Sequence, residues 1–376
     1  MNIYYLFNLL MFFTNLLFIH KFLHIYQLKS YNLKRYFNYF FNLKSLFIVL
    51  TLILYFFELY IDNCLFYIIT NSILYITNLF YLKNLIKSSK TPLKFTKKLS
   101  RLFVISIFIL FLLCAYQHSF LLFIILTPLT PIIANTLNIY DKIKNKHFIN
   151  KAIKKLKNHP TQIIAITGSN GKTSVKNILH QMLSTQHKVQ ATPASYNTPL
   201  GIATFVNNEL KHETEFLILE YGARRKNDIK KLCNLFGADL GIITTISSQH
   251  LETFKSVENI FSAKQELSKH LQNKPCVFNI DNLFTKRMHN EKSSNNISVS
   301  INQKADIFAN NIRIENIIKT LDLQTSTHTH NLATQLLGRH NILNICLASA
   351  LSTHLGIDDK NIISTIQYLK PILTGL

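Results

Sequence analysis

The sequence predicts an α-helical membrane region followed by an α/β domain of the P-loop type with a mostly parallel sheet. Three observations carry that reading. Residues 1–141 are nearly uncharged apolar runs separated by basic connectors. From about Thr161, short apolar runs bounded by polar or glycine turns read as buried strands. One of them, Ile163-Ile164-Ala165-Ile166, leads directly into Thr167-Gly168-Ser169-Asn170-Gly171-Lys172-Thr173-Ser174 and then a helical stretch.

The 376 residues suit two or three domains. Lys and Arg number 41 against 19 Asp and Glu, a formal charge of +22. Hydrophobic residues make up 48% and charged residues only 16%, which excludes an intrinsically disordered chain. The five cysteines, at 64, 114, 233, 276 and 346, form no Cys-x-x-Cys pair, which argues against a disulfide scaffold or a zinc knuckle. The basic residues cluster in connectors that flank apolar runs, so membrane topology accounts for them and no nucleic-acid partner is expected.

Five membrane spans fit region 1–141: Met1–Ile19, Leu46–Ile61, Cys64–Leu82, Leu102–Tyr116 and Phe120–Leu137. The connectors at Lys21–Lys44 and Lys83–Arg101 are basic, while the turns at 62–63 and 117–119 carry no Lys or Arg. The positive-inside rule then puts the N-terminus outside and everything after about residue 140 in the cytoplasm, a multi-pass protein of the cytoplasmic membrane. A cleaved signal peptide would need a basic n-region and a small-residue cleavage site, and the first run lacks both. Residues 142–160 form a basic connector whose lysines suit a solvated helix, with anionic membrane lipid as a weak partner.

The domain at 161–370 carries the chemistry. Strand, glycine turn and helix at 163–183 is the context that a phosphate-binding loop needs. Glycines let the backbone close on an anion, and the helix N-terminus presents N–H groups to it. Lys172 adds a point charge and Thr173 a hydroxyl for Mg²⁺. The spacing Gly-x-x-Gly-Lys-Thr is two residues shorter than the usual pattern. Phe216–Glu220 is a second strand that ends in an acid, where open α/β sheets bind ligands. Beside such a loop, Glu220 reads either as a Mg²⁺ ligand or as a plain surface carboxylate. Leu240–Ile246 and Val277–Asn282 read as further strands, and a helix begins near Ser262, where Lys264 would usually lie on a solvated face.

The motif order resembles the Mur ligases, ATP-dependent amino-acid ligases of peptidoglycan precursor synthesis. The carrying pieces are 167–174, Ser195-x-Asn197-Thr198-Pro199-Leu200-Gly201, Glu220-Tyr221-Gly222-Ala223, His250-Leu251-Glu252-x-Phe254, Ala263-Lys264-x-Glu266 and Leu337-Gly338-Arg339-His340-Asn341-x-x-Asn344. The resemblance covers about residues 161–372. It implies that Gly168, Ser169, Asn170, Gly171, Lys172, Thr173 and Ser174 hold the ATP phosphates and that Asn341 contacts adenine. Thr173 and Glu220 would hold one Mg²⁺ and His250 a second. Lys264 would be the lysine that CO₂ carbamylates, and Asn197 with Thr198 would lie near the acyl substrate. Glu-x-Gly-Ala and Ala-Lys-x-Glu favour the member that joins D-alanyl-D-alanine to a UDP-N-acetylmuramoyl-tripeptide. A folylpolyglutamate synthase-like ligase and a nucleotide-binding membrane protein without activity are the alternatives. The family's C-terminal domain would begin about where the chain stops, with 371–376 as the hinge, so the expectation is a chain lacking that domain.

Overall fold

The structure, a computed structural model, describes residues 16, 19–20, 22–28, 36, 38, 96–115, 130–193, 196–248, 251–292, 294–315, 318–324, 328–336 and 338–369. The chain divides into two compact units, Met1–Lys144 and Asn145–Leu376.

In the first unit, residues 22–28 are helical. Tyr26 is buried and meets Tyr36 edge to face, with ring centroids 5.8 Å apart. Helix α1 spans Lys97–Ala115, and α2, Thr130–Lys157, runs across the division between the units. Arg101 on α1 pairs with Asp141 on α2 at 3.5 Å.

The expectation of a multi-pass membrane protein with a lipid partner is corrected here. Among the described residues, no helix is long and apolar enough to cross a membrane. Lys97, Lys98 and Arg101 occupy the first turns of α1. From Asp141 onward α2 carries a series of lysines. The other expected spans fall almost wholly outside the described residues.

The second unit is built on one sheet of nine strands: β1 (Gln162–Thr167), β2 (Val189–Ala191), β3 (Phe216–Glu220), β4 (Leu240–Ile243), β5 (Cys276–Asn279), β6 (Asn296–Ser300), β7 (Ile307–Glu315), β8 (Ile318–Gln324) and β9 (Thr329–Thr334). The spatial order is β2-β3-β1-β4-β5-β6-β7-β8-β9. Pairing is parallel from β2 through β7 and antiparallel from β7 to β9. The helices are α3 (Lys172–Leu183), α4 (Pro199–Asn208), α5 (Asp228–Phe236), α6 (Leu251–Phe254), α7 (Val257–Leu271), α8 (Leu283–Glu291), α9 (Arg339–His354) and α10 (Asp359–Tyr368).

Side chains alternate across a strand, so a strand with helices on both faces must be apolar throughout. Strand β1 meets that demand. Ile164 and Ile166 enter a core with Val175 and Leu179 of α3 and Leu347 and Leu351 of α9. Ile163 and Ala165 enter a second core with Phe205 of α4, Leu232 of α5 and Leu267 of α7. Strand β9 differs: Thr329, Asn331 and Ala333 are exposed while Leu332 and Thr334 are buried, the alternation of a sheet edge with one wet face. Because β1 lies between β3 and β4, chain order reverses at its carboxyl end. That is the crevice where open α/β sheets take ligands.

Candidate functional site

The turn after β1 is held open by two glycines and clamped from the next strand. Gly168 has φ +146° and Gly171 φ +83°, backbone that L side chains rarely adopt. A Cβ on Gly168 would also overlap the Thr244 hydroxyl. The segment following β4 supplies the clamp. Thr244 Oγ1 donates to Asn170 O at 2.5 Å, and Ser169 N donates to Thr245 O at 2.6 Å. Ser247 N donates to Ser169 Oγ at 3.1 Å, and Asn170 Nδ2 to Ser247 Oγ at 3.2 Å. Thr244 and Thr245, expected as strand, instead fix this loop. Gly171 caps α3, so the loop delivers the helix N-terminus to the crevice, a place that favours anions.

Lys172 Nζ turns back on the loop and donates to Gly168 O at 2.8 Å and Ser169 O at 3.0 Å. Burial lowers its pKa, and the charge of Glu220 opposes that shift. Thr173 Oγ1 donates to Glu220 Oε2 at 2.9 Å. Asn197 Nδ2 reaches Glu220 Oε1 at 3.5 Å, and Asn197 O accepts from Gly222 N at 3.2 Å. A Cβ on Gly222 would stand 3.0 Å from Asn197 Cγ, so glycine lets the two segments touch. Thr198 caps α4, its hydroxyl accepting from Gly201 N at 3.2 Å.

Lys176 belongs to the same cluster, although the sequence reading passed over it. It is 1% exposed, donates to Thr192 O at 2.7 Å and lies 3.6 Å from Glu220 Oε2. Burial lowers its pKa, while Glu220 pulls the other way. The available signal was spacing: Lys172 and Lys176 stand four apart and share a helix face.

Lys264 is buried on α7, not on a solvated face as its helical setting suggested. Burial, then repulsion from Lys172, lowers its pKa to about 7, against smaller pulls from Asp228, Glu220 and Glu266. It lines a cavity of about 440 Å³ together with Gly168, Lys172, Asn197, Thr198 and Asp228. Glu266, one turn-fragment further on, does a different job. Its carboxylate accepts from Asn227 N at 2.6 Å and Lys230 N at 2.9 Å, capping α5.

Asn341 lies in the first turn of α9 and accepts from Asn344 Nδ2 at 3.2 Å. Asn344 is buried against Gly171, its Oδ1 2.6 Å from where a Cβ would stand. The expected adenine-side residue therefore sits one contact away from the glycine loop. His250 and Ser195 lie outside the described residues. The structure thus brings Lys172, Thr173, Glu220, Asn197, Thr198 and Lys264 to one crevice, with Asn341 at its edge. Nucleotide phosphates, a hard cation and an acyl group are ligands of the right chemistry for such a place.

Residues 166–352 match the family model for the Mur ligase middle domain. That segment is a Mur ligase middle domain. A relative in Bacillus subtilis (strain 168), named UDP-N-acetylmuramoyl-tripeptide–D-alanyl-D-alanine ligase, is 28% identical over 229 residues, covering 57% of this chain and 46% of the relative. The protein of the same name in Escherichia coli (strain K12) is 30% identical over 200 residues, covering 52% and 44%. Among solved structures, a MurF ligase from Thermotoga maritima in complex with ADP gives a TM-score of 0.56 at 25% identity, covering 61% of this chain and 53% of that one. A MurF from Acinetobacter baumannii gives 0.56 at 24% identity and shares the fold. The chain spans about half the length of the relatives it matches. Inside the Mur ligase middle domain fall the glycine loop, Glu220, Lys264 and Asn341.

Proposed function

We propose that this chain is an ATP-dependent, ADP-forming ligase of peptidoglycan precursor synthesis, joining D-alanyl-D-alanine to a UDP-N-acetylmuramoyl-tripeptide. The observation that carries the reading is the meeting of Lys172, Thr173, Glu220, Asn197 and Lys264 at the carboxyl end of β1 and β3, inside a Mur ligase middle domain. The names of the relatives above support the substrate pair.

The residues divide the work by chemistry. The 168–174 loop and the start of α3 would receive the ATP phosphates, with the Lys172 ammonium moving from the loop carbonyls to phosphate oxygens. The Thr173 hydroxyl and Glu220 carboxylate are hard oxygen donors in contact with each other, so they suit Mg²⁺. When bound, Mg²⁺ would supply charge neutralisation at the phosphates. Asn341 would face the adenine side and Asn197 and Thr198 the acyl side. The tripeptide carboxylate attacks the γ-phosphorus and ADP leaves. The amine of D-alanyl-D-alanine then displaces phosphate from the acyl phosphate, losing a proton. Positioning three ligands in one crevice accounts for much of the rate.

Lys264 fits the carbamate role on physical grounds. CO₂ adds only to a neutral amine, giving a carbamate anion and a proton. With a pKa of about 7, a large share of Lys264 is neutral near neutral pH. The Lys172 charge that disfavours an ammonium at this place favours an anion there.

The test is an ADP-release assay on the full chain with both substrates and Mg²⁺, with the product peptide identified by mass. ADP release that needs both substrates supports the reading. Nucleotide binding without product from this pair would sink the ligase assignment and leave the nucleotide site standing.

A further inference from the structure

A second group of ligand-type side chains lies at the sheet edge, and none of its members lines the cavity around Lys172 and Lys264. In β9 the even positions face inward: Leu332 and Thr334 are buried, and His330 stands at the rim of the same face. His328 precedes it by two residues and shares its parity. Asp359 opens α10, the helix that packs on β9. Sequence separation hides this meeting, because the residues come from two elements joined only by tertiary packing.

The three ligand atoms lie close enough together to surround one ion. His330 Nε2 lies 2.9 Å and His328 Nδ1 3.5 Å from Asp359 Oδ2. All three ligand atoms lie within 4.8 Å of one another. A tetrahedral ion with bonds of about 2.05 Å places its ligands roughly 3.3 Å apart. The two separations to Asp359 lie near that value and the third is within 4.8 Å, so small rotamer adjustments would centre an ion among the three. His328 is exposed, which leaves the fourth corner to water.

We propose that His328, His330 and Asp359 form a binding site for one Zn²⁺-type divalent ion that fastens the edge strand β9 to α10. Two imidazoles and one carboxylate suit zinc. Mg²⁺ and Ca²⁺ prefer all-oxygen shells and would not compete. Asp358, next in the chain, is held by Gln186 Nε2 at 2.6 Å and adds negative charge beside the site.

The experiment is calorimetric titration of ZnCl₂ into the full chain after chelator treatment. Co²⁺ absorption serves as the probe of tetrahedral ligation. His328→Ala and Asp359→Asn are the variants, each first shown to be folded by circular dichroism. The expected result is one Zn²⁺ per chain, affinity at least about tenfold weaker in either variant, and a zinc-dependent rise in unfolding temperature only in the unsubstituted protein. The proposal is overturned by no saturable zinc binding up to roughly 0.1 mM, an affinity of about −5.5 kcal/mol. Variants that bind as the unsubstituted chain does, or displacement of zinc by excess Mg²⁺, would overturn it equally.

Discussion

Glu220 gathers Thr173, Lys176 and Asn197 around one buried carboxylate. A buried charge that loses its partner is costly, by about 3–5 kcal/mol in general. Lys176→Met should therefore lower stability by roughly 2–4 kcal/mol in urea unfolding. The double variant Lys176→Met/Glu220→Gln should lose less than the sum of the two single changes, because the orphaned charge is gone. Additive losses would show that the pair is not coupled. Lys264 gives a pH signature. Its folded pKa is lowered to about 7 from 10.5, so between those values the unfolded chain binds more protons. Stability from this group consequently rises with pH across that window, and its full cost is present below pH 7. Lys264→Met should stabilise the protein by on the order of 2–5 kcal/mol at pH 6 and by much less at pH 10. Equal effects at both pH values would mean that Lys264 is not held in a desolvated site.

At the scale of elements, helix ends and the clamped loop are the points to probe. Glu266→Ala removes two charge-assisted bonds to the N-terminus of α5 and should cost about 1–2 kcal/mol, read as a shift of the unfolding midpoint. The same change should leave nucleotide affinity nearly unaltered, since Glu266 binds α5 and does not line the cavity. Gly168→Ala should weaken nucleotide binding as well as stability, because the added methyl would displace Thr244 from its bond to Asn170 O. The strand–loop–helix at 162–183 was legible in the sequence because all its determinants are contiguous: an apolar strand, two glycines and a helical period. Glu220 was legible for the same reason, as an acid ending an apolar run. The roles of Thr244, Lys176 and Asn344 were not legible, because they depend on contacts with distant segments. The antiparallel strands β7–β9 were also missed, since alternating polar residues such as those of Thr329–Thr334 resemble loop sequence. Among the described residues, the apolar run of α1 misled in the opposite direction, since no helix there is long and apolar enough to cross a membrane. Hydropathy there registers apolar character, while Lys97, Lys98 and Arg101 occupy the first turns of α1.

For the whole molecule, the second unit is a sheet with two helix-lined cores that converge on one crevice. Strand order puts β1 at the switch point, and the loop, Glu220 and Lys264 all gather where β1 and β3 end. The same sheet carries His330 on its last strand, with His328 just before it, so one architecture serves both the nucleotide reading and the metal proposal. The central claim is that the crevice binds a nucleotide through the glycine loop. Titration of ATP into the full chain by calorimetry, with and without Mg²⁺, tests it most directly when repeated on Lys172→Ala shown to be folded. The account predicts saturable, Mg²⁺-dependent binding to the unsubstituted protein and affinity at least about tenfold weaker in the variant, consistent with loss of a charge-assisted bond of 1.5–3 kcal/mol. Equal ATP affinity in the two proteins, or no binding to either, would contradict it.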